Sequence, residues 1–322
     1  MSEFRTEVET YFRGLRDRIV ERLGALDGGA FARTNWQRPE GGGGEMSELR
    51  GALFEKGGCN FSAVEGPRYP SVPGVSSAQG EGSTGAQPQS GNSGDRSGSA
   101  ANPGQARSPA ERAREDALLG VIPPRSEELA GKPFFATGVS LVMHPKNPFV
   151  PVVHMNVRYL EVGDLGWFGG GTDLTPCRPF PEDTAHFHDT CARALAPHGE
   201  ALYPRFSQWA KDYFFIAHRK SERGVGGVFF DYLRGTPSRP GDLRAAFSVV
   251  QGVGNSFLDA YAPLVERRRD TPYGEAERQE QLRWRGRYVE FNLVYDRGTL
   301  FGLKTGGNIE AIFMSLPPLV SW

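Results

Sequence analysis

The run Val153-His154-Met155-Asn156-Val157-Arg158-Tyr159 alternates apolar and polar residues without a break. Period two belongs to a strand, with Met155, Val157 and Tyr159 on one face and His154, Asn156 and Arg158 on the other. The chain must therefore build a sheet whose apolar face is buried and whose second face lines up an acid–base group, an amide and a fixed cation. Such a face suits an anionic ligand, because the arginine fork matches a carboxylate and histidine moves a proton near neutral pH. Residues 138–144 read as a neighbouring strand across the Pro-containing connection 145–151, with Ser140, Val142 and His144 sharing one face.

The rest of the chain fills in around that sheet. Phe4, Val8, Tyr11, Leu15, Ile19 and Leu23 recur every three to four residues, an amphipathic helix that stops near Asp27-Gly28-Gly29. The glycines Gly41 to Gly44 lack the Gly-Lys-Ser/Thr of a phosphate loop. Over 67–107, Ser, Gly, Gln, Asn, Pro and Ala dominate, a composition too poor in apolar surface to order itself. Ser108-Pro109-Ala110-Glu111 has the form of a capping box opening a short helix. Helices are expected over 182–195, 203–218 and 243–264, a short strand over 227–233, and two β-hairpin connections over 287–315. Hairpins interspersed with helices predict an α+β fold with an antiparallel sheet, in one domain over 1–322 interrupted at 67–107.

Charge and cysteines narrow the function. Lys and Arg number 37 against 38 Asp and Glu, which argues against nucleic acid or a membrane surface as the main partner. No apolar run reaches the ~18 residues needed to cross a bilayer. Residues 1–26 carry Glu3, Glu7, Glu9 and Asp17 and no apolar leader core, so the cytoplasm is expected, or an organelle if the sequence lacks its leader. Cys59, Cys177 and Cys191 share no ligand spacing and read as free thiols in a reducing compartment.

Two further stretches bear on chemistry. Trp167-Phe168-Gly169-Gly170-Gly171-Thr172-Asp173 has three glycines before an aspartate. It reads either as a tight turn with an Asx cap or as a place where backbone approaches a flat ligand. All six histidines (His144, His154, His186, His188, His198, His218) lie in one quarter of the chain. No recognised metal spacing joins them, and His186 and His188 face different ways on a helix.

Several long blocks together resemble the oxygen-dependent coproporphyrinogen III oxidases. They are Gly138-Val139-Ser140-Leu141-Val142, then His144-Pro145-Lys146-Asn147-Pro148; His154 to Arg158; Trp167 to Pro176; His186-Phe187-His188; and Asp212-Tyr213-Phe214-Phe215-Ile216-Ala217-His218-Arg219. Downstream follow Arg223-Gly224-Val225-Gly226-Gly227, Arg285-Gly286-Arg287-Tyr288-Val289-Glu290-Phe291-Asn292-Leu293 and Asp296-Arg297-Gly298-Thr299. Trp36-Gln37-Arg38 and Gly58-Cys59-Asn60-Phe61-Ser62 also fit.

The resemblance implies a large flat antiparallel sheet flanked by helices on both faces, in a homodimer with contacts from about residue 288 onward. It implies oxidative decarboxylation of the ring A and B propionates of coproporphyrinogen III to vinyls, giving protoporphyrinogen IX in haem biosynthesis. Dioxygen is the oxidant, without an organic cofactor. The missing cysteine triad agrees with this class rather than the iron–sulfur enzyme. His154 takes the place of the proton donor, Arg158 meets a propionate, and Asp173 is expected to face the pyrrole N–H groups. Ser140, Asn156, Val157, Arg158, Gly306, Gly307 and Asn308 fall on substrate-contact positions. His144, His154, His188 and His218 match histidines proposed as ligands of a divalent metal in some members, while others work without metal.

Three departures stand out. Asn308 replaces a common arginine, Asp231-Tyr232 replaces Asp-Asp, and the chain stops at Trp322 where relatives continue, as a truncated C-terminus would. Two rival readings use the same face: a non-catalytic binder of anionic tetrapyrroles, and a histidine-cluster metal-dependent oxygenase.

Overall fold

The computed structural model describes residues 3–70, 108–304 and 307–322. From residue 71 onward, the segment expected to be disordered lies outside the described residues, as do Thr305 and Gly306. The strands are β1 (Ala32–Gln37), β2 (Gly42–Leu49), β3 (Phe54–Gly66), β4 (Phe134–Pro145), β5 (Val152–Val162), β6 (Leu165–Thr175), the short pair β7 (Phe215–Ile216) and β8 (Ser221–Glu222), and β9 (Gly226–Leu233). Seven of them form one antiparallel sheet in the order β1-β2-β3-β4-β5-β6-β9, while β7 and β8 pair separately. The glycine run enters β2 and pairs with β1 and β3.

The helices are α1 (Glu3–Asp27), α2 (Pro109–Leu118), α3 (Ser126–Leu129), α4 (Pro181–Leu195), α5 (Leu202–Tyr213), α6 (Leu243–Arg268), α7 (Glu275–Val294), α8 (Arg297–Lys304) and α9 (Ile309–Phe313). The α+β expectation is met. Met155, Val157 and Tyr159 are fully buried in a core shared with Phe12, Leu15 and Ile19 of α1 and Phe247, Val250 and Phe257 of α6. Fully burying each such side chain contributes about 1.5–3 kcal/mol relative to exposure. Asp27 ends α1 and fastens it to the sheet, its carboxylate accepting from the N–H groups of Leu53 at 2.8 Å and Phe54 at 2.7 Å.

The opposite face carries α7 and α9. Tyr288 meets the His144 ring edge-on at 5.3 Å, and Asn60 of β3 donates to the Ala311 carbonyl at 3.2 Å. The Ser108 capping box before α2 is formed as expected.

Three expectations are corrected. Among the described residues of 287–315 the chain forms the end of α7, then α8 and α9, and no strand: in α7 the buried Gln281, Arg285, Tyr288, Phe291 and Asn292 follow helical spacing, and Glu277 closes the first turn by accepting from Gly274 N–H at 2.9 Å. Tyr288, Phe291 and Tyr295 recur every three to four residues, the spacing of one helix stripe. Helix α5 stops at Tyr213, and the chain turns through the β7–β8 hairpin, with Lys220 left-handed at φ 51°. The glycine stretch 167–173 is no turn but the middle of β6, paired on both sides by β5 and β9.

Candidate active site

Directly opposed residues in antiparallel strands share a face, so the register maps the sheet's second face as rows. One row runs Val64, Ala136, Leu160, Trp167. The next runs Trp36, Gly44, Ser62, Gly138, Arg158, Gly169. A third holds Asn60, Ser140, Asn156, Gly171 and Phe229, and a fourth Gly58, Val142, His154, Asp173 and Gly227. Across the face the rows thus pass from apolar, through one that carries Arg158, to amide and then to acid–base. The floor between Trp36 and Arg158 is glycine and serine, and a Cβ on Gly44 would come within 2.7 Å of the Trp36 indole.

Over these rows lies a cavity of about 1230 Å³, roofed by residues of α7, α8 and α9, among them Tyr288, Asn292, Arg297 and Ile312, and by Asn308 just before α9. A ligand the size of a tetrapyrrole fits such a volume, which exceeds the usual range for small-molecule sites.

His154, Asn156, Arg158 and Ser140 all line it. Asp173 does not: it is 1 % exposed and sits one layer behind. Its Oδ1 contacts His154 Nδ1 at 2.9 Å, and its Oδ2 accepts from Arg223 Nη2 at 2.6 Å. Arg223 is equally buried, its guanidinium caged by the rings of Phe214 at 4.1 Å, Phe291 at 4.6 Å and Tyr288 at 4.9 Å. Asn292 Oδ1 accepts from its Nη1 at 3.2 Å. Burial pushes the Asp173 carboxyl up, but the Arg223 charge and the His154 contact outweigh it and hold the carboxyl below its ordinary value. The arrangement is a histidine backed by an ionised carboxylate, itself backed by a fixed cation. Asp173 then selects the tautomer with a proton on Nδ1 and leaves Nε2 to exchange a proton with a ligand.

The other cations cluster around β9. Arg158 Nη1 donates to Asn156 Oδ1 at 2.7 Å, and Nη2 meets Asp231 Oδ2 at 2.9 Å. Arg297 lies over the Tyr213 ring at 5.0 Å. Burial works against its charge, yet Tyr213 and Asp231 outweigh burial and raise its pKa. Its neighbour Asp296 accepts from Tyr213 Oη at 3.0 Å and from Thr299 N–H at 2.7 Å, which fixes the start of α8.

Other expected contacts are placed differently. The Val157 side chain is 0 % exposed and points into the core beneath the sheet, so only its paired backbone belongs to the site. Asn308 lines the cavity while capping α9, its Oδ1 accepting from Glu310 N–H at 3.1 Å. Gly307 lines it too, and Gly306 lies outside the described residues.

The four histidines proposed for metal are not brought together. Among the described residues no three His, Cys, Asp or Glu side chains converge as a metal site. His144 is buried with Nε2 on the Ser315 carbonyl at 2.8 Å, and burial, aided by Arg285, pushes it down to about 3. His188 uses both ring nitrogens, on Tyr203 Oη and the Val225 carbonyl, each at 2.9 Å. His218 uses both as well, on Tyr295 Oη and Glu290 Oε2 at 2.7 Å. With the four rings held in separate places, this set does not fit a divalent ion.

Sequence reasoning gave Arg223, Asn292, Tyr213 and Arg297 no role. Each stands inside a block that carried the resemblance, and that was their only signal. Their function depends on a hairpin and a helix folding back over β5 and β6. A family model described as coproporphyrinogen III oxidase matches residues 7–322.

Proposed function

The chain belongs to the coproporphyrinogen III oxidase family, and from that premise we propose that it decarboxylates the ring A and B propionates of coproporphyrinogen III with dioxygen as oxidant. The carrying observation is the His154–Asp173–Arg223 relay at the edge of a cavity that also holds Arg158 and Arg297. For each propionate the Cβ–H and the C–CO₂ bonds break, a vinyl forms, and dioxygen takes two electrons. One carboxylate, one dioxygen and one proton give one vinyl, one carbon dioxide and one hydrogen peroxide.

The reduced tetrapyrrole is electron-rich and supplies the electrons itself. Loss of a pyrrole N–H proton raises its reactivity toward oxygen. In this reading His154 Nε2 accepts that proton and returns it to the departing peroxide. Asp173, expected to face the pyrroles, acts instead through His154, by keeping Nδ1 protonated and stabilising the imidazolium. Arg158 and Arg297 receive carboxylates, and Ser140, Asn156 and Asn308 offer polar contacts around the ring.

The three thiols support the oxygen-dependent type. Cys59, Cys177 and Cys191 are all buried and unpaired, and burial pushes them up to about 12, 11 and 12. Such thiols are poor cluster ligands, since metal takes the thiolate. They also support a reducing compartment, the cytoplasm. No helix among the described residues is long and apolar enough to cross a membrane. Exposed Leu293, Val294, Leu303 and Ile309 support a homodimer through the C-terminal helices.

An anaerobic-to-aerobic assay tests the function. Coproporphyrinogen III should turn over only when oxygen is admitted, with peroxide and carbon dioxide in equal amounts. Equal turnover without oxygen would refute the oxidant. Tight binding of the tetrapyrrole with no oxygen uptake would identify a binder instead.

A further inference from the structure

Of the three carboxylates that line the cavity, Glu40, Asp231 and Asp296, Asp231 is the one paired with Arg158, where the chemistry calls for a free cation. Phe168 faces Leu233 and Gly170 faces Phe230, so Gly169 stands against both Asp231 and Tyr232. Two residues against one is a β-bulge, which re-aims side chains beside functional sites. Here it turns two consecutive side chains, Asp231 and Tyr232, toward the cavity. Tyr232 is left-handed at φ 54°, a conformation bulky residues rarely adopt. Its carbonyl accepts from Ile122 N–H at 2.9 Å and its ring lies against Trp167.

The bulge fixes Asp231 as well. Oδ1 accepts from the Tyr232 N–H at 2.9 Å, which leaves Oδ2 for Arg158 Nη2 at 2.9 Å. The pair crosses above Gly169, where a Cβ would come within 2.6 Å of Asp231 Oδ1 and 2.7 Å of Arg158 Nη2. Asn156 grips the other terminal nitrogen of Arg158. An anion beside an anion-binding arginine weakens binding of the ligand by like-charge repulsion. A strained bulge and a glycine that accommodate it point to a role other than affinity.

We propose that Asp231 is a positioning residue, which turns the Arg158 guanidinium so that a substrate carboxylate docks in one orientation only, with the reacting propionate at His154. This rests on the coproporphyrinogen reading and adds the determinant of substrate orientation. Removing the Asp231 charge then has opposite effects on binding and turnover.

The test uses Asp231→Asn and Gly169→Ala, with fluorescence titration of coproporphyrin III for binding and coproporphyrinogen III for turnover. Asp231→Asn should bind the porphyrin as tightly as wild type or more tightly, while kcat falls about tenfold to a hundredfold, as a misplaced reacting group costs. Gly169→Ala splays the pair while keeping both charges, and should lose kcat similarly. Asp231→Glu should recover part of it. Wild-type kcat in Asp231→Asn, a raised KM alone, or wild-type kinetics in Gly169→Ala overturns the proposal. If Asp231→Asn fails to fold, Gly169→Ala decides alone, because only flexible side-chain ends must move there. A wild-type protein that neither binds coproporphyrin III nor turns over coproporphyrinogen III overturns the parent reading instead.

Discussion

Replacing Asp173 by Asn isolates the relay beneath His154. Asp173 and Arg223 have side chains only 2 % exposed, and they meet at 2.6 Å. Asparagine keeps the volume, so no cavity opens, but the Arg223 guanidinium is left buried without a counter-charge. Breaking a buried pair from one side costs about 3–5 kcal/mol, and the isosteric change falls near the lower end. In urea, with a slope of about 3 kcal/mol per molar for a chain of this size, the unfolding midpoint should drop by about 1 M. Adding Arg223→Met removes the orphaned charge, so the double variant should recover much of the loss. The pH dependence has a definite sign. The folded pKa of Asp173 is lowered, so its stabilisation is present above the unfolded value of about 3.9 and is lost as pH falls through the folded value. Wild type and Asp173→Asn should therefore converge below about pH 4. In turnover, kcat should fall by about 10²–10⁴, the usual contribution of a proton-transfer group. A cooperative Asp173→Asn protein within about 1 kcal/mol of wild type would refute the buried-pair argument. An Asp173→Ala enzyme at wild-type rate would remove Asp173 from the mechanism.

Three further outcomes are expected. His144 is pushed down to about 3, so folding favours its neutral form and its stabilisation declines as pH falls below 6.5. His144→Phe should lose up to one proton's worth of that slope, about 1.4 kcal/mol per pH unit, in urea melts at pH 4 to 6, and an unchanged slope counts against burial as the cause. Arg297→Gln should raise KM about tenfold to a hundredfold, the range set by losing a charge-assisted hydrogen bond, and an unaltered KM removes Arg297 from carboxylate binding. Dialysis against a chelator should leave kcat unchanged, since His188 and His218 spend both ring nitrogens on protein partners and the buried His144 holds the Ser315 carbonyl through Nε2. Metal-dependent recovery of activity would contradict that account.

The local pattern of the chain determined a good deal. The alternation at 153–159 determined a strand with a buried face and a chemical face, and both faces are where that pattern puts them. The spacing of Phe4 to Leu23 determined α1, and Ser108 to Glu111 determined a helix start. These are properties of neighbours in sequence, and periodicity reports them directly.

Tertiary structure decided the rest. Whether 287–315 is strand or helix depended on which residues meet the sheet, because Tyr288 packs on Val142, Val152 and His144 and Phe291 on Phe214 and Phe229, partners distant in sequence. The glycines at 169–171 were compatible with a turn until β5 and β9 paired on either side. The gathered histidines suggested a metal through closeness in sequence, yet the fold gives His144, His188 and His218 partners in three different places. In sequence Asp173 reads as an Asx cap after a glycine turn, or, by resemblance, as a group facing the pyrroles. Only Arg223, 50 residues downstream, makes it a buried anion behind His154. Residues this far apart are joined by burial and charge, which no local pattern encodes.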